Sequence, residues 1–543
     1  MVTVAVLFGW HFLDVRAGAS ATGDGWLRGR YLWLGASVLG GLGIFGYALR
    51  KGEGKGRQIP LESLYAAAGL CLGILYMAVL PPLSAPDEVS HYISAYQLSS
   101  RILGQPSNSA TGHVLVRAQD MWLEDVDGIY RYETGEDGYA RASSDDTETA
   151  RILGGVLAEE TYRTLREQGI TGRILPDGGR PMEADEPVVS VQPPVVTTPI
   201  AYVPQAIGIA AARLLHLNAV GLVFLGRVCN LLFFVGMTWL AMRRLPFGKE
   251  VLFGVALLPM TLHLSASMSY DVLIMGSMFY LTAVCLDLAF EKERVTLQDV
   301  AVLAVIMAAA GPCKMIYGVF MGLCLLIPVR KFGGVKGWGL AALAVAGAWA
   351  VSMAAVNAGT IAAYAAETES SVPWGEEAAY SFSYVLHHPY ETAKIFYQTL
   401  LWQLEVYHRT MIGGYLGNLD EILDVPYGAV VLFTVCLLCL AMKKPGESQR
   451  MSAGNRIWIG VLCGGCAFGA MFSMLIAWTA LSSAVISGVQ GRYFLPFLPV
   501  LLMALKNDTI VLTKNGNRSI LYLMCCANGY VLVRLYATVC IRL

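Results

Sequence analysis

The chain has 543 residues, 55% of them hydrophobic and only 15% charged, with a mean hydropathy of +0.53. That balance excludes a soluble globule and implies an all-α polytopic membrane protein. The formal net charge of −1 says little, because the charges are sorted along the chain, and no nucleic-acid partner is expected.

In chain order, Val2 to Leu13 is apolar but lacks a basic leader, so it reads as the remnant of a span or a misplaced start rather than a cleaved signal. Apolar runs of spanning length then follow near 31–49, 63–83, 219–242, 248–266, 270–289, 298–313, 314–329, 338–357, 427–442, 457–480, 492–506 and 518–538. The expected architecture is roughly twelve transmembrane helices with a large first exported loop. Its divisions are 1–62 (extra N-terminal span or spans with a basic cytoplasmic connector), 63–83 (a transmembrane helix) and 84–217 (an exported helical loop). A transmembrane bundle at 218–357, a second exported loop at 358–426 and C-terminal transmembrane helices at 427–543 complete it.

Sidedness follows from lysine and arginine. Short connectors carry Arg50-Lys51, Arg243-Arg244, Arg330-Lys331, Lys443-Lys444 and Lys506. The stretch from Ser84 to Thr198 is strongly acidic and has no lysine, and Lys394 is the sole lysine between Gly359 and Pro426. The positive-inside rule puts the connectors in the cytoplasm and both long loops outside. Thr198 to Leu217 is apolar but would invert Arg243-Arg244 if it spanned, so it reads as an interfacial or re-entrant helix. Within the first loop, Asp87 to Leu103 and Leu153 to Gln168 have helical spacing, and Arg117 to Ala150 reads as mobile. No nucleotide-binding glycine loop or clear internal repeat occurs, which argues against an ATP-driven pump. Cys463 and Cys466 have the spacing of a redox or zinc pair, but their Gly- and Ala-rich surroundings favour close helix packing. His387-His388 reads as a solvated pair, with a metal role left open.

Polar residues gather where the expected outer span ends lie. Pro81-Pro82-Leu83-Ser84-Ala85-Pro86 ends one span, and Asp87, Glu88 and His91 follow at once. Asp271 opens another span, Lys314 with Tyr317 interrupts a third, and Gln490-Gly491-Arg492-Tyr493 joins two more. Each has a plainer reading: acids as helix caps, Arg492 snorkelling to headgroups, the tyrosines as an interface belt. Lys314 is hardest to set aside, because an ammonium between two apolar runs needs an anion, such as a lipid phosphate.

These residues resemble the bacterial domain of unknown function 2142 family of membrane proteins. The resemblance rests on Pro86-Asp87-Glu88 with His91 and Ala95-Tyr96-Gln97, then Ala201-Tyr202-Val203-Pro204-Gln205. Gly226-Arg227-Val228-Cys229-Asn230, Tyr270-Asp271, Lys314 with Tyr317, and Gly488-Val489-Gln490-Gly491-Arg492-Tyr493 continue it. That family is similar to the GT-C membrane glycosyltransferases. The resemblance implies a polyprenyl-phosphate sugar donor, a glycan or lipid acceptor, and a catalytic acid in the first exported loop. Asp87 takes that place with Glu88 beside it, and which of the two accepts the proton stays open. His91, Tyr96, Asp271, Lys314, Tyr317, Gln490, Arg492 and Tyr493 are the expected substrate-binding residues, and a divalent metal ion at Asp87 and Glu88 is a further option. The expected function is transfer of a sugar to a cell-envelope acceptor at the outer face of a bacterial cytoplasmic membrane, among membrane lipids. A transporter or flippase of a lipid-linked glycan, or a non-catalytic envelope-assembly protein, is the alternative. A transporter needs polar residues spread through the depth of the bundle rather than gathered at one face.

Overall fold

The computed structural model describes residues 1–21, 23, 25–51, 59–124, 131–142, 161, 163–175, 181–195, 197–366, 370–372, 377–419, 423–448 and 450–542. Most of this is helical, as the composition requires. The N-terminal helices are α1 (Val2–Ala21), α2 (Trp26–Lys51), α3 (Leu61–Val79), α4 (Glu88–Ile102) and α5 (Val203–Leu214). Then come α6 (Ala219–Arg244), α7 (Lys249–Ala256), α8 (Pro259–Ser265), α9 (Asp271–Phe290), α10 (Leu297–Ala310) and α11 (Val335–Ala366). The remainder are α12 (Phe382–His387), α13 (Pro389–Ile412), α14 (Tyr427–Ala441), α15 (Ala453–Trp478), α16 (Leu498–Leu505) and α17 (Asn517–Arg542).

Among the described residues eight helices are long and apolar enough to cross a membrane: α1, α2, α3, α6, α9, α11, α15 and α17. The chain is therefore a multi-pass membrane protein. α1, ambiguous in the sequence, is a 20-residue helix packed on α2 and α17, with Phe8 stacked on Tyr31 at 4.5 Å. α9 is the most enclosed of the eight and α11 the least, so α9 stands at the centre and α11 at the perimeter.

Three expected spans take a different form. The 248–266 run is two short helices, α7 and α8, because Pro259 lacks the N–H that would continue the ladder. The break is satisfied from α17: Asn528 donates to the Leu257 carbonyl at 2.9 Å and accepts from the Tyr76 hydroxyl at 2.8 Å. The 492–506 run is a 3₁₀ turn, Gly491–Phe494, followed by α16. Between α10 and α11, Met315–Leu326 is a 12-residue 3₁₀ segment, and at about 2 Å rise per residue it reaches further than an α-helix of that length.

The first long loop is not wholly helical. Alongside α4 and α5 it holds a four-stranded sheet in the order β1-β4-β3-β2, built from β1 (Leu115–Arg117), β2 (Tyr132–Thr134), β3 (Ala140–Ala142) and β4 (Pro187–Val189). β1 and β4 are antiparallel, with Val116 opposite Val188. The segment expected to be mobile thus contributes the β2–β3 hairpin, while 125–130 and 143–150 lie outside the described residues, as does most of the helix expected at 153–168. α4 matches the helix expected from Asp87 to Leu103. Thr198 to Leu217 is a 3₁₀ turn plus the 12-residue α5, which lies on α4 and α6. Gly208 makes that crossing close: a Cβ there would stand 2.5 Å from the Leu225 carbonyl oxygen on α6. In the second loop, α13 is a 24-residue helix with Tyr390, Tyr397, Leu401 and Trp402 exposed along it.

Candidate functional site

The site is built on the irregular joints between helices. α3 stops at Leu80, and the proline-rich series of turns that follows, 81–86, is buried up to Asp87. Asp87 itself takes a left-handed backbone (φ 58°, ψ 15°) as the residue preceding α4, and its side chain makes no capping bond. The capping explanation therefore fails for Asp87, whose side chain is 59% exposed and meets Arg492 Nη2 at 2.5 Å.

Glu88, its neighbour, is buried. Its two carboxylate oxygens accept the backbone N–H groups of Ala85 at 2.9 Å and Met268 at 2.8 Å, and Arg227 stands 3.9 Å away. Burial raises the Glu88 carboxyl above its usual range, against the pull of Arg227 and those N–H donors. Glu88 joins the α3–α4 link to the α8–α9 link, and that is a bracing position.

The α8–α9 link is gripped from four sides. Besides Glu88, Asn230 donates to the carbonyls of Ser267 (2.7 Å) and Ser269 (3.1 Å). Gln205 donates to those of Met268 (3.2 Å) and Ser269 (3.1 Å), and Arg227 donates to Ala266 and Leu80. The grip sets the position of Asp271 at the start of α9. Gln205, Arg227 and Asn230 stand in the family-like blocks of the sequence, where nothing assigns them a task. Their signal was available, since an amide or guanidinium inside an apolar helix must find polar partners.

Asp271 is the hub. One oxygen accepts Lys314 Nζ at 2.8 Å and the other accepts Arg492 Nη1 at 3.2 Å. Arg492, 2% exposed in its side chain, is no snorkelling residue: it bridges Asp271 and Asp87 and touches the Pro86 carbonyl at 3.4 Å. Lys314 lies over the Tyr493 ring at 4.1 Å and the Tyr270 ring at 5.1 Å. Tyr317 donates to the Tyr493 carbonyl at 2.9 Å, so it holds the loop carrying Arg492. Gln490 is next in that loop, and its buried side-chain oxygen has no hydrogen-bond partner among the described residues. His91, one turn along α4, pairs through Nδ1 with the Tyr202 hydroxyl at 2.9 Å and meets the edge of Tyr270 at 4.6 Å. Tyr96 lies away from this cluster, fully buried, with its hydroxyl donating to Asp120 at 2.7 Å.

Electrostatics separate the members. Burial would raise the Asp87 carboxyl, but the adjacent Arg492 outweighs it and holds Asp87 below the usual carboxylate range. Burial lowers His91 to about 3, despite the nearby carboxylates, so its ring is neutral at physiological pH. Among the described residues no group of three or more His, Cys, Asp or Glu side chains is arranged to hold a metal. Glu88 spends both oxygens on backbone N–H groups and Asp87 faces a guanidinium, so the pair does not fit a divalent ion. His387 and His388 each pair with a backbone carbonyl one turn back. Cys463 and Cys466 are buried in helix packing.

The family of predicted membrane proteins DUF2142 matches residues 70–501. The chain belongs to it. No curated protein and no solved structure matches the chain. The DUF2142 region contains every member of the cluster from Asp87 to Arg492, while α1, α2 and α17 lie outside it. Within this DUF2142 chain, Asp87, Asp271, Lys314 and Arg492 come from four separate segments and form one continuous ionic chain.

Proposed function

We propose that this protein is a membrane-embedded glycosyltransferase that moves a sugar from a polyprenyl-phosphate donor to a glycan or lipid acceptor at the outer face of a bacterial inner membrane. One observation carries the reading: an exposed carboxylate, free of any capping bond, meets Arg492 at an irregular joint of a helix bundle, and Asp271 ties that cation to a second one, Lys314. Sugar transfer needs that combination. Asp87 takes the proton of the acceptor hydroxyl, whose oxygen bonds to the anomeric carbon. The bond from that carbon to the phosphate oxygen breaks, and the lipid phosphate leaves with the electron pair. Lys314 and Arg492 stabilise the charge on the departing phosphate, and Asp271 keeps both cations in place. A conduit is less favoured, because the buried Arg227, Asn230 and Asn528 side chains donate to backbone carbonyls and so brace the helices.

The test is a reconstituted assay with polyprenyl-phosphate sugars. Asp87→Asn keeps the shape and removes the proton acceptor, so transfer falls by about 10²–10⁴-fold. Thermal stability falls only modestly, because no cap is lost, the Asn amide oxygen can still accept from Arg492 Nη2, and Asp271 still balances the guanidinium. Full activity in that variant would return Asp87 to an ordinary surface carboxylate.

A further inference from the structure

Arg492 uses its guanidinium unevenly. In this group the Nε–H and one N–H of Nη2 point the same way, forming the two-pronged edge that grips a carboxylate or phosphate. At Arg117 that edge is full: Nε and Nη2 reach the two oxygens of Asp120 at 2.7 and 3.0 Å. At Arg244 it is full as well, with Asp287 at 3.0 Å and Asp299 at 2.6 Å. At Arg492 only Nη2 is engaged, by one oxygen of Asp87, and Nε is buried with no hydrogen-bond partner among the described residues. A buried donor left unused is costly unless a ligand completes it.

The two partners of this contact are not equally fixed. Arg492 is enclosed and pinned through Nη1 by Asp271, which also holds Lys314. Asp87 is 59% exposed, and among the described residues nothing else takes a hydrogen bond from Arg492 along that edge. The carboxylate is therefore the member that can leave.

We propose that the phosphate of an anionic ligand takes the Nε/Nη2 edge of Arg492 and displaces Asp87, so that anion binding is what frees this carboxylate to act. Two phosphate oxygens satisfy both donors where one carboxylate oxygen satisfies a single one, and Lys314 adds a second charge nearby. The inference deepens the transfer reading, on which its purpose rests: the donor phosphate binds first, and an empty site keeps its base on a guanidinium. The exchange itself does not require that transfer occurs.

Two measurements on the purified full chain test it, with farnesyl phosphate and inorganic phosphate as probes. First, carbodiimide-driven amine coupling to Asp87 is followed by mass spectrometry. Farnesyl phosphate accelerates it several-fold if the carboxylate is released beside a phosphate, whereas protection or no change overturns the proposal. Equal acceleration by inorganic phosphate supports the exchange with free phosphate as the ligand. Second, affinity for farnesyl phosphate is measured in a double-mutant cycle. Asp87→Asn removes the competitor and tightens binding by about tenfold. In an Arg492→Lys background, which keeps the charge but lacks the edge, the same change shifts affinity by less than about threefold. Equal gains in both backgrounds mean a simple field effect and overturn the exchange. Released Asp87 without any sugar transfer would sink the transfer reading and leave the exchange standing.

Discussion

At the scale of single residues, Asp87 and Glu88 show how two adjacent carboxylates reach opposite ends. The left-handed backbone at Asp87 turns the chain sharply, a conformation that Asp tolerates better than most residues. It leaves one carboxylate against Arg492 and sends the next into the joint between helices. Neither fate is readable from the dipeptide, because the deciding partners, Arg492 and Met268, are remote in sequence. His91 makes a separate prediction. The unfolded chain protonates this imidazole near pH 6.5 and the folded chain only near pH 3. Between those values the unfolded state holds the extra proton, so stability falls as the pH drops below about 6.5. His91→Gln stays neutral throughout. Its melting temperature in detergent should decline less between pH 7 and pH 5 than that of wild type, and parallel declines would show that His91 is not the group responsible.

At the scale of elements, the cluster depends on helices that bear no charge in it. α13 crosses the loop that carries Arg492: Thr410 accepts the Gly491 N–H at 2.9 Å, and Thr399 accepts that of Ile486 at 2.9 Å. Gly491 lies so close that a Cβ would stand 2.0 Å from the Tyr407 carbonyl oxygen and 2.3 Å from the Met411 nitrogen. Backbone atoms cannot move aside as a flexible side chain can. Gly491→Ala should therefore push the loop off α13, destabilise the protein by roughly 1–3 kcal/mol and weaken phosphate binding through Arg492. Thermal melting and phosphate affinity measured together check it, and an unaffected affinity would separate the α13 contact from the site. The motif containing Gly491 was legible in the sequence. The reason for its glycine was not, because α13 lay in a stretch read as exported loop. The helical spacing of Tyr390, Tyr397, Leu401 and Trp402 was the available signal.

At the scale of the whole molecule, the transfer reading requires both long loops on one side of the membrane and the basic connectors on the other. Single cysteines at Glu133 and Glu391, both exposed, should react with a membrane-impermeant maleimide in intact cells. A cysteine at Asp508, near Lys443, should react only after permeabilisation. The opposite pattern would place Asp87 in the cytoplasm and remove the argument for a lipid-carried donor. The sequence by itself determined the membrane class, most of the long helices, and the charged residues at their ends. Those follow from apolar runs long enough to cross a bilayer and from the cost of leaving charge inside one, and both are local properties. Only the tertiary structure decided that 248–266 breaks into two helices, that the first loop carries a sheet, and that Tyr96 lies apart from the cluster. It alone joined Asp87, Asp271, Lys314 and Arg492, and it alone set Gln205, Arg227 and Asn230 to hold the joint beneath them. The physical reason is range: hydrophobic length is written within one segment, whereas an ion pair or a satisfied backbone carbonyl exists only once distant segments have packed.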